Sequence, residues 1–270
     1  MGEKDYLVTD DVVETLTNRY GFDLSYQQRD EIQEATEFAL EEGMPEVIPD
    51  NMDLTVLDAE ELIQWAESEL EDKYLLISID GTYYPGGNYE GLEVVELGLT
   101  RETEPDTGEY WVRSRDPTTS FKDAVESIAT DYEFVQVFDG GAFTGGTINR
   151  VTGELKNSGV EIEKAVVPVA NTDADIETDR VSIYRRFDFG DWLEARDIAA
   201  IDGRKVPRQD RKDQPRTFIP YWEDPQEMAS IGEKDPSKAE DFEELSRSLN
   251  SEIQEIIGEE VGNRVEAEWD

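Results

Sequence analysis

Residues 134–159 read FVQVFDGGAFTGGTINRVTGELKNSG. The first part, FVQVFD, is a short apolar run closing on Asp139, the pattern of a strand buried on both faces. A loop of small residues follows. From TINRVTGELKNSG onward the apolar residues recur at helical spacing, and Gly159 stops the helix. Strand, glycine-rich turn and helix in this order make half of a β-α-β unit. Its other half must be a second buried strand downstream.

That strand is IEKAVVPVA, residues 162–170, and a third apolar run upstream, YLLISI at residues 74–79, has the same character. Between them, LEVVELGLT (92–100) and EYWVRSR (109–115) predict two further strands joined as a hairpin through RETEPDTG. SFKDAVESIATD predicts a helix capped by Ser120. This rhythm requires crossovers and a parallel sheet, so the fold class is α/β.

Outside the core the patterning is helical. Residues 8–42 predict two helices, with Thr9 or Asp10 as the first cap, and residues 58–72 (DAEELIQWAESELED) place Leu62, Trp65, Ala66 and Leu70 on one face. Residues 181–198 predict a strand running into a short helix, and residues 202–225 a polar, locally basic loop. A glutamate-rich amphipathic helix is expected from 236 to 269. The expected organisation is therefore an N-terminal helical segment (1–72), an α/β core (73–200), and a basic loop with a C-terminal helical segment (201–270).

Across 270 residues, 66 Asp and Glu oppose 25 Lys and Arg, a formal charge of −41. The apolar fraction of 37% and the aromatic fraction of 10% argue against a disordered acidic chain, because a core is available. A folded protein in molar salt fits better, since the Debye length falls to about 3 Å at 1 M and surface repulsion is screened. Such a surface repels phosphate backbones, which excludes nucleic acid as an expected partner. Nothing in the sequence approaches a membrane span or a signal peptide, and a cytoplasmic location is expected.

Cysteine and histidine are both absent. That removes disulfides, thiolate and imidazole metal sites, cysteine nucleophiles and histidine general bases. Carboxylates, arginine, lysine, hydroxyls and backbone groups remain, together with an oxygen-coordinated Mg²⁺.

In an open parallel sheet, ligands bind beyond the carboxyl ends of the strands, which is where Asp139 and the segment Thr144, Gly145, Gly146 and Thr147 fall. A helix N-terminus offers N–H groups and a partial positive charge to an oxyanion. Gly145 and Gly146 allow close backbone approach, Thr144 and Thr147 add hydroxyls, and Asp139 can accept from two neighbouring sugar hydroxyls.

FDGGAFTGGT resembles the phosphoribosyl-pyrophosphate motif of the type I phosphoribosyltransferases, in which a strand ends in two acidic residues before a threonine- and glycine-rich phosphate loop. The resemblance implies a phosphoribosyltransferase-like α/β core with an N-terminal helical segment and a C-terminal helix. It gives Asp139 to the ribose hydroxyls and, indirectly, to Mg²⁺. Gly140, Thr144, Gly145, Gly146 and Thr147 then surround the ribose and the 5′-phosphate. The family's second acidic position is Gly140 here, one carboxylate fewer for the ribose and its Mg²⁺. For pyrophosphate the resemblance points to the turn after YLLISI, with Asp80, Gly81 and Thr82, and to the basic residues Arg113 and Arg115; Arg204 and Lys205 in the basic loop are further candidates.

The implied activity is transfer of ribosyl phosphate to or from a nitrogen acceptor, with a phosphorylated sugar or nucleotide as the partner and Mg²⁺ as the cofactor. The alternative is a phosphoribosyltransferase fold kept as a nucleotide sensor, or as a structural or assembly protein of a halophile or its virus. Three plainer readings stand beside these: a surface turn for residues 80–88, a solvated loop for the basic cluster, and core-lining roles for Tyr221 and Trp222. Helices at both chain ends suggest either a cap over the site or a homodimer surface.

Overall fold

The computed structural model describes residues 4–89, 91–103, 110–114, 119–201, 204–206 and 217–258. The chain opens on β1 (Lys4–Asp10), α1 (Val12–Glu14), α2 (Tyr26–Phe38) and α3 (Met44–Val47), with π-helical turns at Thr15–Arg19 and Ala39–Gly43. β2 (Met52–Asp58) and α4 (Ala59–Glu69) follow. Next come β3 (Leu75–Ser78), β4 (Gly87–Tyr89), β5 (Leu92–Glu96), β6 (Leu99–Thr103), β7 (Tyr110–Ser114), α5 (Phe121–Asp131), β8 (Phe134–Phe138), β9 (Gly141–Ala142) and α6 (Gly146–Asn157). β10 (Glu161–Asn171), β11 (Val181–Phe187), β12 (Phe189–Glu194), α7 (Ala195–Ile198), β13 (Arg204–Val206), β14 (Thr217–Ile219), α8 (Pro225–Ala229) and α9 (Ser237–Ile257) complete it.

Two compact units result. One combines residues 1–59 with 189–270, and the other spans 60–188, so the second is inserted in the chain of the first. The chain therefore divides at 59/60 and 188/189 rather than at the expected 72/73 and 200/201.

The first unit contains strands where only helices are expected before residue 72. β1 lies between β2 and β12 and is parallel to both, with Thr9 opposite Leu57 on one side and Glu194 on the other. The first of the two helices expected over 8–42 starts after its expected caps Thr9 and Asp10, at Val12, because Val8, Thr9 and Asp10 continue a strand whose Tyr6, Leu7 and Val8 are wholly buried. α2 begins on a capping box: Ser25 Oγ accepts from the Gln28 N–H while Gln28 accepts from the Ser25 N–H. Its Ile32 and Ala35 face a core shared with Phe242, Leu249 and Ile253 of α9. Among the described residues no helix is long and apolar enough to cross a membrane.

The second unit is a mixed α/β layer structure on a mostly parallel sheet in the order β11-β10-β8-β3-β5-β4, with β9 attached to β10. Only β4 runs antiparallel to its neighbour in that order. The central strands explain themselves by composition: Leu76, Ile77, Val135, Val137, Val166 and Val167 are all fully buried, and burying each such side chain contributes roughly 1.5–3 kcal/mol. Val125 and Ile128 of α5, and Ile148, Val151 and Leu155 of α6, join β3, β8 and β10 in a single apolar cluster. The Ser120 hydroxyl caps α5 by accepting from the Asp123 N–H at 3.1 Å.

Candidate functional site

The strand order reverses between β3 and β8. From β3 the chain goes to β5 on one side, then crosses to β8 on the other. At such a switch point the connections leave the sheet in opposite directions and open a crevice beyond the carboxyl ends of the two strands. The residues following β3 and β8 are Ile79–Asp80 and Asp139–Gly140. Ser78 pairs with Phe138, and the Ile79 N–H donates to the Phe138 carbonyl at 2.9 Å, which carries the register on to Asp80 opposite Gly140.

After β8, the Asp139 N–H donates to Val166 of β10 at 3.2 Å, and the Asp139 residue is 7% exposed. Gly141 and Ala142 form β9 against Val169 and Ala170. Thr144 and Gly146 are exposed, Gly145 and Thr147 buried. Gly145 takes φ 85° as the residue preceding α6, a left-handed conformation that glycine adopts without steric cost. The Thr144 hydroxyl accepts from the Gly146 N–H at 3.3 Å. α6 thus begins just beyond the carboxyl end of β8, with a threonine on either side of Gly145 and Gly146 and the Gly146 N–H held by Thr144.

A side wall comes from residues 172–178, which sequence reading leaves unassigned. A Cβ at Gly145 would stand 2.2 Å from the Asp175 carbonyl oxygen, so only glycine admits this approach. The Asp175 N–H donates to the Thr144 carbonyl at 3.3 Å. Asn149 holds the wall from α6: its Nδ2 donates to the Asp175 carbonyl at 2.7 Å, and its Oδ1 accepts from the Glu177 N–H at 2.8 Å. Nothing in the local pattern TINR marks Asn149 for this role, since its partners are about 26 residues away.

The turn after β3 differs from the surface turn and from the diphosphate loop between which the sequence leaves the choice open. Gly81, Thr82, Tyr83 and Tyr84 are buried. The Thr82 N–H donates to Asp80 Oδ1 at 3.0 Å, and the Tyr84 N–H to the Asp80 carbonyl at 3.3 Å. A Cβ at Gly81 would stand 2.2 Å from the Glu96 carboxylate. The turn spends these amides on Asp80 and sets carboxylates beside it, an arrangement that disfavours an anion at Gly81. Tyr84 packs edge-on to Phe138 with ring centroids 4.6 Å apart, fixing the turn to the end of β8.

No family model matches the sequence, and no curated protein does. Among solved structures, a hypothetical protein from Neisseria gonorrhoeae with bound ppGpp is similar over 50% of this chain and 81% of its own, at 12% identity and a TM-score of 0.35. A purine phosphoribosyltransferase from Pyrococcus horikoshii is similar over 63% of this chain and 88% of its own, at 16% identity and a TM-score of 0.29. At these TM-scores neither likeness carries an argument about this chain.

The expected site residues are thus distributed as follows. Asp139, Gly140, Thr144, Gly145, Gly146 and Thr147 lie on one continuous stretch from β8 into α6, and Asp80 lies across from Gly140. Arg113 is on β7, and Arg115 lies outside the described residues. Arg204 and Lys205 are on β13, in the other unit. Among the described residues no three acidic side chains converge as a metal cage.

Proposed function

We propose that the second unit binds a phosphorylated ribose, as phosphoribosyl pyrophosphate or a ribose 5-phosphate nucleotide, at the switch point between β3 and β8. The observation that carries this reading is the coincidence, at one sheet edge, of Asp139 with a left-handed glycine, two threonines and the N-terminus of the twelve-residue α6. The amides and hydroxyls suit a phosphate, and the carboxylate suits sugar hydroxyls. Charge-assisted hydrogen bonds of both kinds contribute about 1.5–3 kcal/mol each. The motif resemblance of FDGGAFTGGT agrees in residue type and spacing.

The chemistry that fits is transfer of ribosyl phosphate between pyrophosphate and a nitrogen nucleophile. It needs orientation and charge stabilisation more than proton transfer, which suits a chain without histidine. The oxygen donors Asp139 and Asp80 are of the type that holds Mg²⁺. That ion keeps several waters and binds through one or two carboxylates together with substrate phosphates, so two carboxylates without a third are a sufficient protein contribution. When bound, Mg²⁺ would neutralise diphosphate charge.

A second reading, ligand binding without turnover, is favoured by the turn after β3, where carboxylates of Asp80 and Glu96 stand in place of amides for a diphosphate. Calorimetry with phosphoribosyl pyrophosphate and Mg²⁺ in high salt, with ³¹P detection of released pyrophosphate, separates the two. Binding with release on adding an amine or base acceptor supports the transferase. Binding of a nucleotide without release supports the sensor, and absence of any binding rejects both.

A further inference from the structure

We infer that the first unit carries a cation site of its own, in which Asp10 and Asp58 hold one hydrated Mg²⁺ beyond the carboxyl ends of β1 and β2. This site is independent of the phosphoribosyl reading of the second unit.

The two residues close the ladder between these strands. β1 and β2 run parallel, and Asp10 stands opposite Asp58 in their last registered pair. Neighbouring strands lie about 4.8 Å apart and a registered pair projects to the same face, so two carboxylates leave the sheet side by side. Like charges placed in this way destabilise a sheet. β1 is also the strand at which the order reverses, with β2 on one side and β12 on the other, and ligands of parallel sheets bind beyond the carboxyl ends at such a point.

Asp10 is incompletely satisfied. It is 7% exposed, its Oδ2 accepts from Gln33 Nε2 at 2.6 Å, and its buried Oδ1 has no hydrogen-bond partner among the described residues. A buried carboxylate oxygen without a donor is costly. The charges acting on this carboxyl, from Glu14, Glu37 and Asp58, are all negative. Glu14 lies one turn beyond Asp10 at the end of α1, and Glu37 one turn beyond Gln33 on α2. A positive ion is what such a field selects, and oxygen donors alone suit a hard one. Because no three acidic side chains converge among the described residues, the ion takes two carboxylates and keeps its other waters, which is the behaviour of the reluctantly dehydrated Mg²⁺. The Gln33 bond fits this role, since a ligating carboxylate is oriented by a hydrogen bond from outside the ion's shell. Asp58 is exposed and gives the ion its way in.

Mn²⁺, which broadens nearby amide signals, is the probe, added to ¹⁵N-labelled protein at about pH 8 in about 2 M KCl so that diffuse binding to the acidic surface is screened. Broadening is expected at residues 9–12 and 57–59, reversed by excess Mg²⁺. Asp10→Asn keeps an acceptor for Gln33, and Asp58→Asn changes an exposed position. Each is expected to weaken Mn²⁺ binding about tenfold or more, since loss of even an outer partner of a metal ligand costs that much. Asp53→Asn, which removes an exposed carboxylate near the other end of β2, is expected to leave it unchanged. Broadening that is absent, spread evenly over the acidic surface, retained in Asp10→Asn, or not reversed by Mg²⁺ overturns the inference.

Discussion

Gly145 and Asp175 define how closely the phosphate-loop candidate is built: the Asp175 carbonyl oxygen lies 2.2 Å from where a Cβ on Gly145 would stand, at a backbone φ of 85°. The obstacle is main chain, which cannot rotate away, and the conformation is one that side chains disfavour. Gly145→Ala is expected to lower unfolding free energy by about 2–4 kcal/mol, through strain and displacement of residues 172–178. Denaturant unfolding measures it. A cost below about 0.5 kcal/mol, the range of surface substitutions, contradicts the packing described.

In the first unit, Arg196 donates to Asp11 at 2.8 Å and also contacts Glu194, with the Asp11 side chain wholly buried. Removing the cation leaves a buried carboxylate without its counter-ion. Arg196→Leu is therefore expected to cost about 3–5 kcal/mol in the same unfolding assay. The double variant Arg196→Leu with Asp11→Leu should recover much of it, whereas additive losses would mean that the two side chains do not act as a pair.

Asp10, at the end of β1, has its carboxyl pushed up to about 7, first by burial and then by the neighbouring charge of Glu14; the hydrogen bond from Gln33 at 2.6 Å opposes the shift. The folded state thus holds this proton more tightly than the unfolded chain, whose ordinary value is 3.8. By linkage, the group's contribution to stability falls as pH rises from about 4 to about 7 and is flat above. Asp10→Asn should match wild type near pH 4 and exceed it by about 1–3 kcal/mol at pH 8. An equal difference at both pH values would place the effect elsewhere.

A formal charge of −41 on 270 residues makes self-repulsion a large term. Raising KCl from 0.1 to 2 M shortens the Debye length to a few ångströms, so the thermal midpoint is expected to climb by ten degrees or more, on the order of several kcal/mol. A midpoint independent of salt would remove the argument for a salt-adapted surface.

The site loop was legible because its information is local. FVQVFD, the small-residue loop and TINRVTGELKNSG each carry their own period, and β8 and α6 form at those residues. The Ser120 cap of α5 is local in the same way. β1 and β2 were not legible, because short strands next to helical patterns are decided by partners: β1 pairs with β12, about 180 residues away. The insertion of residues 60–188 into the first unit is a consequence of that distant pairing. Gly140 illustrates the limit at the site itself. In sequence it reads as a missing carboxylate, and only the β3–β8 register brings Asp80 to it.

The central claim is that the amides from Gly145 to Thr147 receive a phosphate. Titration of ¹⁵N-labelled protein with ribose 5-phosphate in high salt, followed amide by amide, tests it most directly. The account predicts saturating shifts concentrated at Gly145, Gly146 and Thr147, with smaller ones at Asp139 and Asp80, and their loss in Asp139→Asn for the sugar phosphate. Saturating shifts confined to residues outside 139–147, or none at any concentration, would contradict it.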